Sequence, residues 1–214
     1  MIVEERLTDY LHSLEPEQTG ILGEIRKEAI KNYVPIIRLE TGSLLKTLIC
    51  MYKPENILEV GTAVGYSALL MSEVMPAGCK ITTIENYEKR IPIARRNFER
   101  AGKSDVIKLI EGDATSVLEE LEDTYDFIFM DAAKGQYIHF LPNIMRLLKT
   151  DGVLISDNVL QDGELLESRF GVTRRNRTIH SRMREYLYQL KHMEELETSI
   201  LPVGDGVTIS VKKI

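Results

Sequence analysis

The sequence has few cysteines, no tryptophan and no long apolar run. Its two cysteines, Cys50 and Cys79, lie in apolar surroundings, far from a second cysteine or a histidine at a metal-binding spacing. We therefore predict two free thiols in the core, and neither a disulfide framework nor a zinc site. No stretch approaches the roughly 18 consecutive apolar residues of a membrane span, and residues 1–6 lack the charge order of a signal peptide. The sequence thus predicts a cytoplasmic protein without a membrane span.

A third glycine is missing from the strongest motif of the chain, which spans residues 56–67. An apolar run comes first, Gly61 and Gly65 follow, and a helical pattern begins at Tyr66. This order is typical of the first strand, turn and helix of a nucleotide-binding sheet. A dinucleotide site has the pattern G-x-G-x-x-G and binds a pyrophosphate at the helix N-terminus. Because the third glycine is absent and Glu59 stands two positions before Gly61, the motif argues against a pyrophosphate.

Two acidic residues indicate which ligand the motif binds instead. Glu59 suits a ligand with an ammonium and a sulfonium group. S-adenosylmethionine has both, together with a carboxylate that helix N-terminal amides can bind. Glu85 ends the next apolar run, twenty positions after Gly65, where a carboxylate can accept both hydroxyls of a ribose. We therefore predict S-adenosylmethionine as the cofactor, and not a nicotinamide dinucleotide.

Strand and helix patterns alternate regularly from residue 56 onward, which predicts a parallel sheet covered by helices on both faces. Strands are predicted at 56–60, 80–84, 106–110, 126–130 and 152–156, and helices at 66–75, 87–101, 115–121, 136–148 and 178–192. Two last strands, 195–201 and 206–213, flank Asp205 and Gly206, which are a hairpin signal. The predicted fold is α/β, mostly parallel, with a C-terminal antiparallel hairpin.

The first 52 residues do not share this alternation. Apolar positions at helical spacing predict one helix over 2–14 and a second that begins near Pro16. Residues 33–38 read as an extended loop because of Pro35, and Thr41 is predicted to cap a third helix. We predict a single domain over 1–214, with 1–52 as a helical extension packed on it.

Polar side chains follow two of the predicted strands. Asp131 comes directly after strand 126–130, and Asp157 and Asn158 come after strand 152–156. If these strands are neighbours, about 5 Å apart, two carboxylates and an amide oxygen meet at one point. Two unpaired carboxylates that close would repel each other, whereas three hard oxygen ligands suit Mg²⁺, Mn²⁺ or Ca²⁺ and not Zn²⁺. The pattern predicts a divalent-cation site.

Two further residues have two interpretations each. Lys134 stands three positions after Asp131, where it can take the proton of a hydroxyl bound to the cation; alternatively, it forms a salt bridge with Asp131. Asp113 and Ala114 follow strand 106–110. Asp113 either lines the same ligand pocket or caps the next helix. The spacing is compatible with both interpretations of each residue.

Positive charge is concentrated in one segment. Residues 169–192 contain seven basic side chains and one acidic side chain, whereas the chain as a whole has a net charge of −6. Arg174, Arg175 and Arg177 stand before the predicted helix 178–192, where a loop over the acceptor pocket is expected. Such a patch is typical of phosphate binding. The alternatives are a solvated helix face, or ion pairs with an acidic surface across a dimer.

Together these motifs resemble those of the metal-dependent class I O-methyltransferases, the family of catechol and caffeoyl-CoA O-methyltransferases. The resemblance runs from about residue 33 to the C-terminus. It rests on six segments: 57–67, 83–85, 112–114, 125–134, 156–160 and 201–206. It implies a Rossmann-like fold with a seven-stranded sheet whose last two strands form the hairpin, and a homodimer.

The resemblance also implies a role for each site residue. Asp131, Asp157 and Asn158 would bind the metal ion, and Lys134 would be the general base, so that Lys134 and Asp131 are the catalytic residues. The cofactor residues comprise those at its methionine end, ribose and adenine, the turn glycines, and a backbone segment that closes over it. They are Ile37, Glu59, Gly61, Gly65, Ser67, Glu85, Asp113, Ala114 and Asp131.

The N-terminal helices, residues 33–35 and the arginine segment resemble a bacterial branch of this family that includes tRNA 5-hydroxyuridine methyltransferase. Its acceptor, like a catechol, is an acidic ring hydroxyl beside a second oxygen, so one metal ion can chelate both. We therefore predict methylation of 5-hydroxyuridine at the tRNA wobble position to 5-methoxyuridine, with Arg174, Arg175 and Arg177 binding the RNA. The alternative is methylation of a small catechol-like or acyl-CoA phenolic hydroxyl. An RNA-binding module without catalysis is disfavoured, because every proposed metal and cofactor residue is present.

Overall fold

The computed structural model describes residues 3–168 and 170–214. Ile2 of the predicted first helix and Arg169 of the basic segment lie outside the described residues. The described helices are α1 Glu5–Leu14, α2 Gly20–Lys31, α3 Leu39–Tyr52, α4 Tyr66–Val74, α5 Ile91–Arg100, α6 Ala114–Glu120, α7 Tyr137–Leu147 and α8 Arg177–His192. The described strands are β1 Asn56–Val60, β2 Lys80–Glu85, β3 Ile107–Glu111, β4 Tyr125–Met130, β5 Leu148–Ser156, β6 Leu196–Leu201 and β7 Val207–Lys212.

The strands form one seven-stranded sheet in the order β3-β2-β1-β4-β5-β7-β6. The five strands from β3 to β5 run parallel, and β7 pairs antiparallel with both β5 and β6. The predicted mostly parallel sheet with a C-terminal antiparallel hairpin is confirmed. Because β1 and β4 are central neighbours at which the strand order reverses, their carboxyl ends open a crevice, where ligands of open α/β sheets bind.

Several predicted boundaries were wrong, and three of them show local features. Helix α5 begins at Ile91 and not at residue 87, because Pro92 occupies its first turn and favours a helix start there. Strand β5 begins at Leu148, which pairs with Tyr125 across an irregularity in the register. Thr41 does not cap α3. The helix begins at Leu39 after an extended Arg38, and Thr41 is buried inside its first turn.

The second helix also begins later than predicted, at Gly20 and not near Pro16. Helices α2 and α3 pack on α4, one of the helices that cover the sheet. Their buried side chains, among them Ile25 and Ile49, belong to the same apolar core as β1 and β4. The extended segment between α2 and α3 is thereby held over the crevice at the strand ends.

The two cysteines have different environments. Cys79 is buried, and burial raises the pKa of its thiol to about 11, so it is an inert core residue. Cys50 is exposed, so the prediction of a second core thiol was wrong. It lies in the last turn of α3.

No helix among residues 3–168 and 170–214 is both long enough and apolar enough to cross a bilayer.

Candidate active site

The carboxyl ends of β1, β4 and β5 lie side by side. Val60 pairs with Met130, and Met130 pairs with Ser156. The register continues one residue further, because the Asp131 amide donates to the Val60 carbonyl at 3.0 Å and the Asp157 amide donates to the Met130 carbonyl at 2.9 Å. Strands β4 and β5 are therefore neighbours, and the condition on which the predicted cation site depended is met.

The two glycines of the turn between β1 and α4 are each required for a different structural reason. Gly61 has a φ of 106°, and a Cβ atom there would lie 2.1 Å from the Asp131 carbonyl oxygen. It thus allows the β1 and β4 ends to approach closely. Gly65 has a φ of 85°, and a Cβ atom would lie 2.5 Å from the ring of Phe98. Gly65 therefore fits α4 against α5, and it does not line the cavity described next.

A cavity of about 580 Å³ opens at these strand ends, which is within the roughly 300–1,000 Å³ of small-molecule sites. The structure brings ten of the predicted site residues to its wall, and they come from six separate stretches of the chain. They are Ile37, Gly61, Ser67, Glu85, Asp113, Ala114, Asp131, Lys134, Asp157 and Asn158.

The predicted metal ligands are in mutual contact. The Asn158 side-chain amide Nδ2 donates to Asp131 Oδ1 at 2.9 Å, and the Asn158 backbone amide donates to Asp157 Oδ1 at 2.8 Å. Burial raises the pKa of both carboxyls, and the proximity of Asp131 raises that of Asp157 further. Within the described residues, no three His, Cys, Asp or Glu side chains are grouped as a metal site. The group formed by Asp131, Asp157 and Asn158 has two carboxylates and one amide instead.

A buried tyrosine fixes the spacing of the two strand ends. The hydroxyl of Tyr137, the first residue of α7, lies 3.2 Å from the Met130 carbonyl oxygen and 3.1 Å from that of Asp157. The Ala132 amide lies 3.3 Å from the same hydroxyl. Tyr137 thereby ties β4 to β5 directly below Asp131. Its signal in the sequence is an aromatic residue six positions after Asp131, which helical patterning assigns only to the core.

Lys134 lies at the start of a short 3-10 turn, Lys134–Gln136, that follows β4. It is half-buried and lines the same cavity as Asp131 and Asp157. Among the described residues, no ion pair joins Lys134 to an acidic side chain. The alternative of a salt bridge to Asp131 is thus not observed, and Lys134 shares the cavity wall with two carboxylates.

Glu59 lies beneath the cavity wall and is fully buried. The Thr83 hydroxyl donates to Glu59 Oε2, and the hydroxyl of Ser67, which does line the cavity, lies near the carboxylate. Oε1 has no partner among the described residues. Burial raises the pKa of Glu59 to about 7, although the hydroxyls of Ser67 and Thr83 lower it. A buried carboxylate oxygen without a donor is a strong indication that a cationic or hydrogen-bonding ligand belongs beside it.

Glu85 and Asp113 are both held by backbone amides. Glu85 Oε2 accepts from Ala63 at 2.7 Å, and Oε1 accepts from the amides of the two residues that follow it, at 3.0 and 2.8 Å. Asp113 Oδ1 accepts from the Thr115 amide at 2.9 Å, so Asp113 caps α6. The two interpretations of Asp113 are therefore compatible, because it caps the helix and lines the cavity as well.

The basic segment divides into two parts. Arg182, Arg184 and Lys191 donate to backbone carbonyls at 3.0, 3.3 and 2.6 Å and so fasten α8 to its neighbours. Arg174 and Arg175 are exposed before α8. Arg177 belongs to α8 as its first residue, and its guanidinium lies 5.9 Å from the centre of the Phe170 ring, which is itself exposed.

Sequence reasoning missed three charged residues of the cavity wall, Arg38, Arg90 and Asp205. Asp205 was noticed only as a turn former. However, β7 is the antiparallel neighbour of β5, so the turn that precedes β7 lies at the same sheet edge as the end of β5. That topology is the signal that could have identified Asp205. Arg38 has no comparable signal, because it lies in an irregular segment.

Comparisons with known proteins give consistent results. The sequence profile of the family described as O-methyltransferase matches residues 12–213. Caffeoyl-CoA O-methyltransferase 1 of Arabidopsis thaliana is 32% identical, over 92% of this chain and 80% of its own length. A Staphylococcus aureus protein described provisionally as a caffeoyl-CoA O-methyltransferase has a crystal structure with a TM-score of 0.90 and 33% identity, covering 97% of this chain and 100% of that one.

A second solved structure contains S-adenosylhomocysteine, which is what remains of S-adenosylmethionine after methyl transfer. The O-methyltransferase from Bacillus cereus, in complex with S-adenosylhomocysteine, has a TM-score of 0.85 and 26% identity, covering 97% of both chains. This chain therefore belongs to the O-methyltransferase family of the caffeoyl-CoA and catechol type, and it is an S-adenosylmethionine-dependent enzyme.

Proposed function

We propose that the enzyme methylates an acidic ring hydroxyl that is flanked by a second oxygen, as in catechols and in the phenolic part of caffeoyl thioesters. The observation that carries this proposal is the group formed by Asp131, Asp157 and Asn158 beside Lys134 at one end of the cavity. A divalent cation bound by two carboxylates and an amide can chelate two adjacent oxygens. The relative from Arabidopsis thaliana supports the same class of acceptor.

The residues present fit S-adenosylmethionine. The orphaned Oε1 of Glu59 and the hydroxyl of Ser67 suit the ammonium group of the methionine end. Glu85 is fixed next to Ala63, where its remaining lone pairs suit a ribose. For the other end of the cofactor, we assign the adenine to the wall formed by Asp113 and Ala114, and the cover to the backbone at Ile37. When bound, S-adenosylmethionine supplies the methyl group and a positive charge that is lost on transfer.

The residues present also fit Mg²⁺, Mn²⁺ or Ca²⁺. Asp131 and Asp157 are two carboxylates whose ionised forms destabilise each other, so a cation would relieve their repulsion. The Asn158 side chain donates its amide to Asp131, and rotation of that amide would present its oxygen instead. When bound, the cation lowers the pKa of a coordinated hydroxyl and orients it. No His, Cys or third carboxylate is needed for such an oxygen set.

In the proposed mechanism, the chain supplies positioning, charge and a proton acceptor. Lys134 accepts the proton of the acceptor hydroxyl at its Nζ atom. Tyr137 keeps the ends of β4 and β5 in register, so that Asp131 and Asp157 hold the acceptor end at a fixed distance from the cofactor end. Gly61 and Ile37 contribute to the wall of the same cavity. Fixed geometry of this kind supplies much of the rate of a direct displacement.

A panel of acceptors tests the proposal. We expect the purified enzyme with Mg²⁺ to transfer labelled methyl to caffeoyl-CoA or 3,4-dihydroxybenzoate. We expect no transfer to 4-coumaroyl-CoA or 4-hydroxybenzoate, which lack the second hydroxyl and so cannot be chelated. Methylation of the single-hydroxyl compounds at equal rates, or of neither class, would contradict the proposal. Calorimetric binding of S-adenosylhomocysteine in parallel separates a wrong acceptor from an inactive preparation.

A second candidate is tRNA carrying 5-hydroxyuridine at the anticodon wobble position, with 5-methoxyuridine as the product. The observation in its favour is the pair of exposed arginines, Arg174 and Arg175, next to Arg177 over Phe170. A cationic surface with an exposed aromatic ring suits phosphates and unstacked bases. Its acceptor, a ring hydroxyl beside a carbonyl oxygen, would use the same cation.

Charge neutralisation tests this candidate. Replacing Arg174 and Arg175 by glutamine should weaken binding of hydroxyuridine-containing tRNA. It should also reduce the slope of log affinity against log salt by about 1.4, since each single-strand phosphate contact contributes roughly 0.7. The matched control is Arg95→Gln with Arg96→Gln, an adjacent exposed pair on α5. If the Arg174 and Arg175 double variant has the same salt slope as the wild-type enzyme, and methylates tRNA from a deletion strain equally well, tRNA is not the substrate.

We also propose a homodimer located in the cytoplasm. The resemblance to the family implies the dimer, and the N-terminal helix offers a surface for it. Helix α1 buries none of its residues in the described part of the chain, although one of its faces is apolar. An exposed apolar face of this kind is typical of an interface. Its exposed apolar residues are Leu7, Tyr10, Leu11 and Leu14.

A further inference from the structure

One arginine joins three elements around the cavity mouth. Arg38 Nη2 lies 3.2 Å from Asp162 Oδ1, and it also forms an ion pair with Asp205 Oδ1. Arg38 ends the extended segment that covers the cavity, and Asp162 lies in the turn Gln161–Leu166 after β5. Asp205 lies in the turn between β6 and β7. The two carboxylates thus approach each other from different parts of the chain and share one guanidinium.

The elements that Arg38 joins belong to opposite ends of the cavity. Residues 35–37 line the proposed cofactor end. The connection after Asn158 lies at the proposed acceptor end, and it is fastened to the hairpin turn. The Val159 amide donates to the Gly206 carbonyl at 2.9 Å, and the Leu160 amide donates to the Asp205 carbonyl at 2.8 Å.

The hairpin turn is also close to the start of α3. A Cβ atom at Gly204 would lie 2.8 Å from Thr41 Oγ1 and 3.6 Å from the Arg38 side chain. Gly204 has a φ of 57°, so both its conformation and its neighbours favour glycine. The turn therefore packs on the cofactor side through Gly204, and on the acceptor side through its backbone hydrogen bonds to residues 159 and 160.

We infer that Arg38 is a positioning residue for methyl transfer, which couples the cofactor cover at 35–37 to the acceptor-side connection at 159–163. Ordering the cover around the cofactor then orders the acceptor end, because the same guanidinium holds Asp162 and Asp205. The inference rests on the proposed assignment of the two cavity ends. Such a coupling makes the affinities of cofactor and acceptor depend on each other.

Hydrogen exchange with S-adenosylhomocysteine as the probe tests the coupling. In the wild-type enzyme, the probe should slow exchange at the amides of residues 159, 160 and 163, which are hydrogen-bonded but lie on the acceptor side. In Arg38→Gln, this distant protection should be lost, whereas protection in the turn 61–66 should remain. The affinity for S-adenosylhomocysteine should fall by about fivefold to tenfold.

A matched control is available on another surface. Arg100 likewise bridges two carboxylates, those of Glu24 and Glu28, at 3.1 and 2.9 Å, and it is not part of the cavity wall. Arg100→Gln should leave the affinity and the distant protection unchanged. If Arg38→Gln retains protection at 159–163, the inference is wrong. If the wild-type enzyme does not bind the probe at all, the proposed cofactor site is wrong instead.

A double-variant cycle separates positioning from a general loss of stability. Without the guanidinium, Asp162 and Asp205 repel each other, so Asp162→Asn should restore part of the affinity that Arg38→Gln removes. Arg38→Lys should retain more affinity than Arg38→Gln because it keeps the charge. Additive losses in the double variant would show that the two side chains act independently, and they would overturn the inference.

Discussion

Lys134→Met is expected to lower kcat by about 10²-fold to 10⁴-fold, the range that a positioned general base contributes. Lys134 lines the cavity next to Asp131 and forms no ion pair with a described acidic residue. Methionine keeps the unbranched stem, so the short turn at Lys134–Gln136 should be preserved. The measurement is steady-state methyl transfer with labelled S-adenosylmethionine and an acceptor that the wild-type enzyme methylates.

The pH dependence of the variant identifies the role of the lysine. Without Lys134, the acceptor must lose its proton to solvent, so kcat should rise about tenfold for each pH unit below the pKa of the hydroxyl. The difference in kcat between the two enzymes should therefore shrink as the pH approaches the pKa of the hydroxyl, because an ionised hydroxyl needs no base. Lys108→Met, which removes an exposed lysine on β3, should leave the rate unchanged. A Lys134→Met enzyme with near wild-type kcat at neutral pH would rule out Lys134 as the base.

The fold could be predicted from the sequence because its signals are local and repeated. Continuous apolar strands at regular spacing indicate a parallel sheet, and the residues Asp205 and Gly206 indicate the hairpin. Both are confirmed by the strand order and pairing. Helix starts were harder, as Thr41 illustrates. A threonine before an apolar helix resembles a cap, yet Thr41 is buried in the first turn of α3. It lies close to the hairpin turn at Gly204, and that proximity joins residues distant in the chain.

The site could be predicted only where it follows strand ends. Asp131, Asp157 and Asn158 come directly after β4 and β5, and strand adjacency is sufficient to bring them together. Tyr137 supports them from a helix, where an aromatic residue looks like core. Arg38 approaches from an irregular segment whose path depends on the packing of α2 and α3. No periodic pattern of apolar residues in the sequence indicates where such an irregular segment runs.

The number of basic residues in 169–192 did not indicate which of them contact the fold and which can bind a substrate. Seven basic residues in 169–192 predicted a single cationic patch. Arg182, Arg184 and Lys191 instead donate to backbone carbonyls within the fold. Arg177 at the start of α8 also donates to a backbone carbonyl, that of Val172, so within the described part of this segment the exposed Arg174 and Arg175 are the arginines left for a substrate. A sequence cannot separate these uses, because both place long basic side chains at the edge of an amphipathic helix.

Removal of the divalent cation, or replacement of Asp157 by asparagine, is expected to lower methyl transfer by about 10³-fold or more. A Lewis-acid cation contributes several kcal/mol, and each tenfold in rate corresponds to about 1.4 kcal/mol. Asparagine keeps the oxygen that accepts from the Asn158 amide at 2.8 Å, so the turn after β5 should be retained. Chelator-treated enzyme should recover its activity when Mg²⁺ or Mn²⁺ is added back, and the Asn variant should not. Asp151→Asn, at an exposed aspartate in the first half of β5, is the control.

The Asp157→Asn substitution should stabilise the ion-free protein, although it lowers methyl transfer. Burial and Asp131 raise the pKa of Asp157 from its ordinary value of 3.8 to about 8. Between these values, the ion-free folded state binds more protons than the unfolded chain, so its stability falls as the pH rises through that window. Asp157→Asn should therefore raise the Tm of the ion-free protein near pH 8, although it removes activity. In the wild-type protein, Mg²⁺ binds the ionised pair, so its effect on Tm should grow from about pH 5 to about pH 8. A Tm that is insensitive to Mg²⁺ throughout this range would show that these three side chains do not hold a cation.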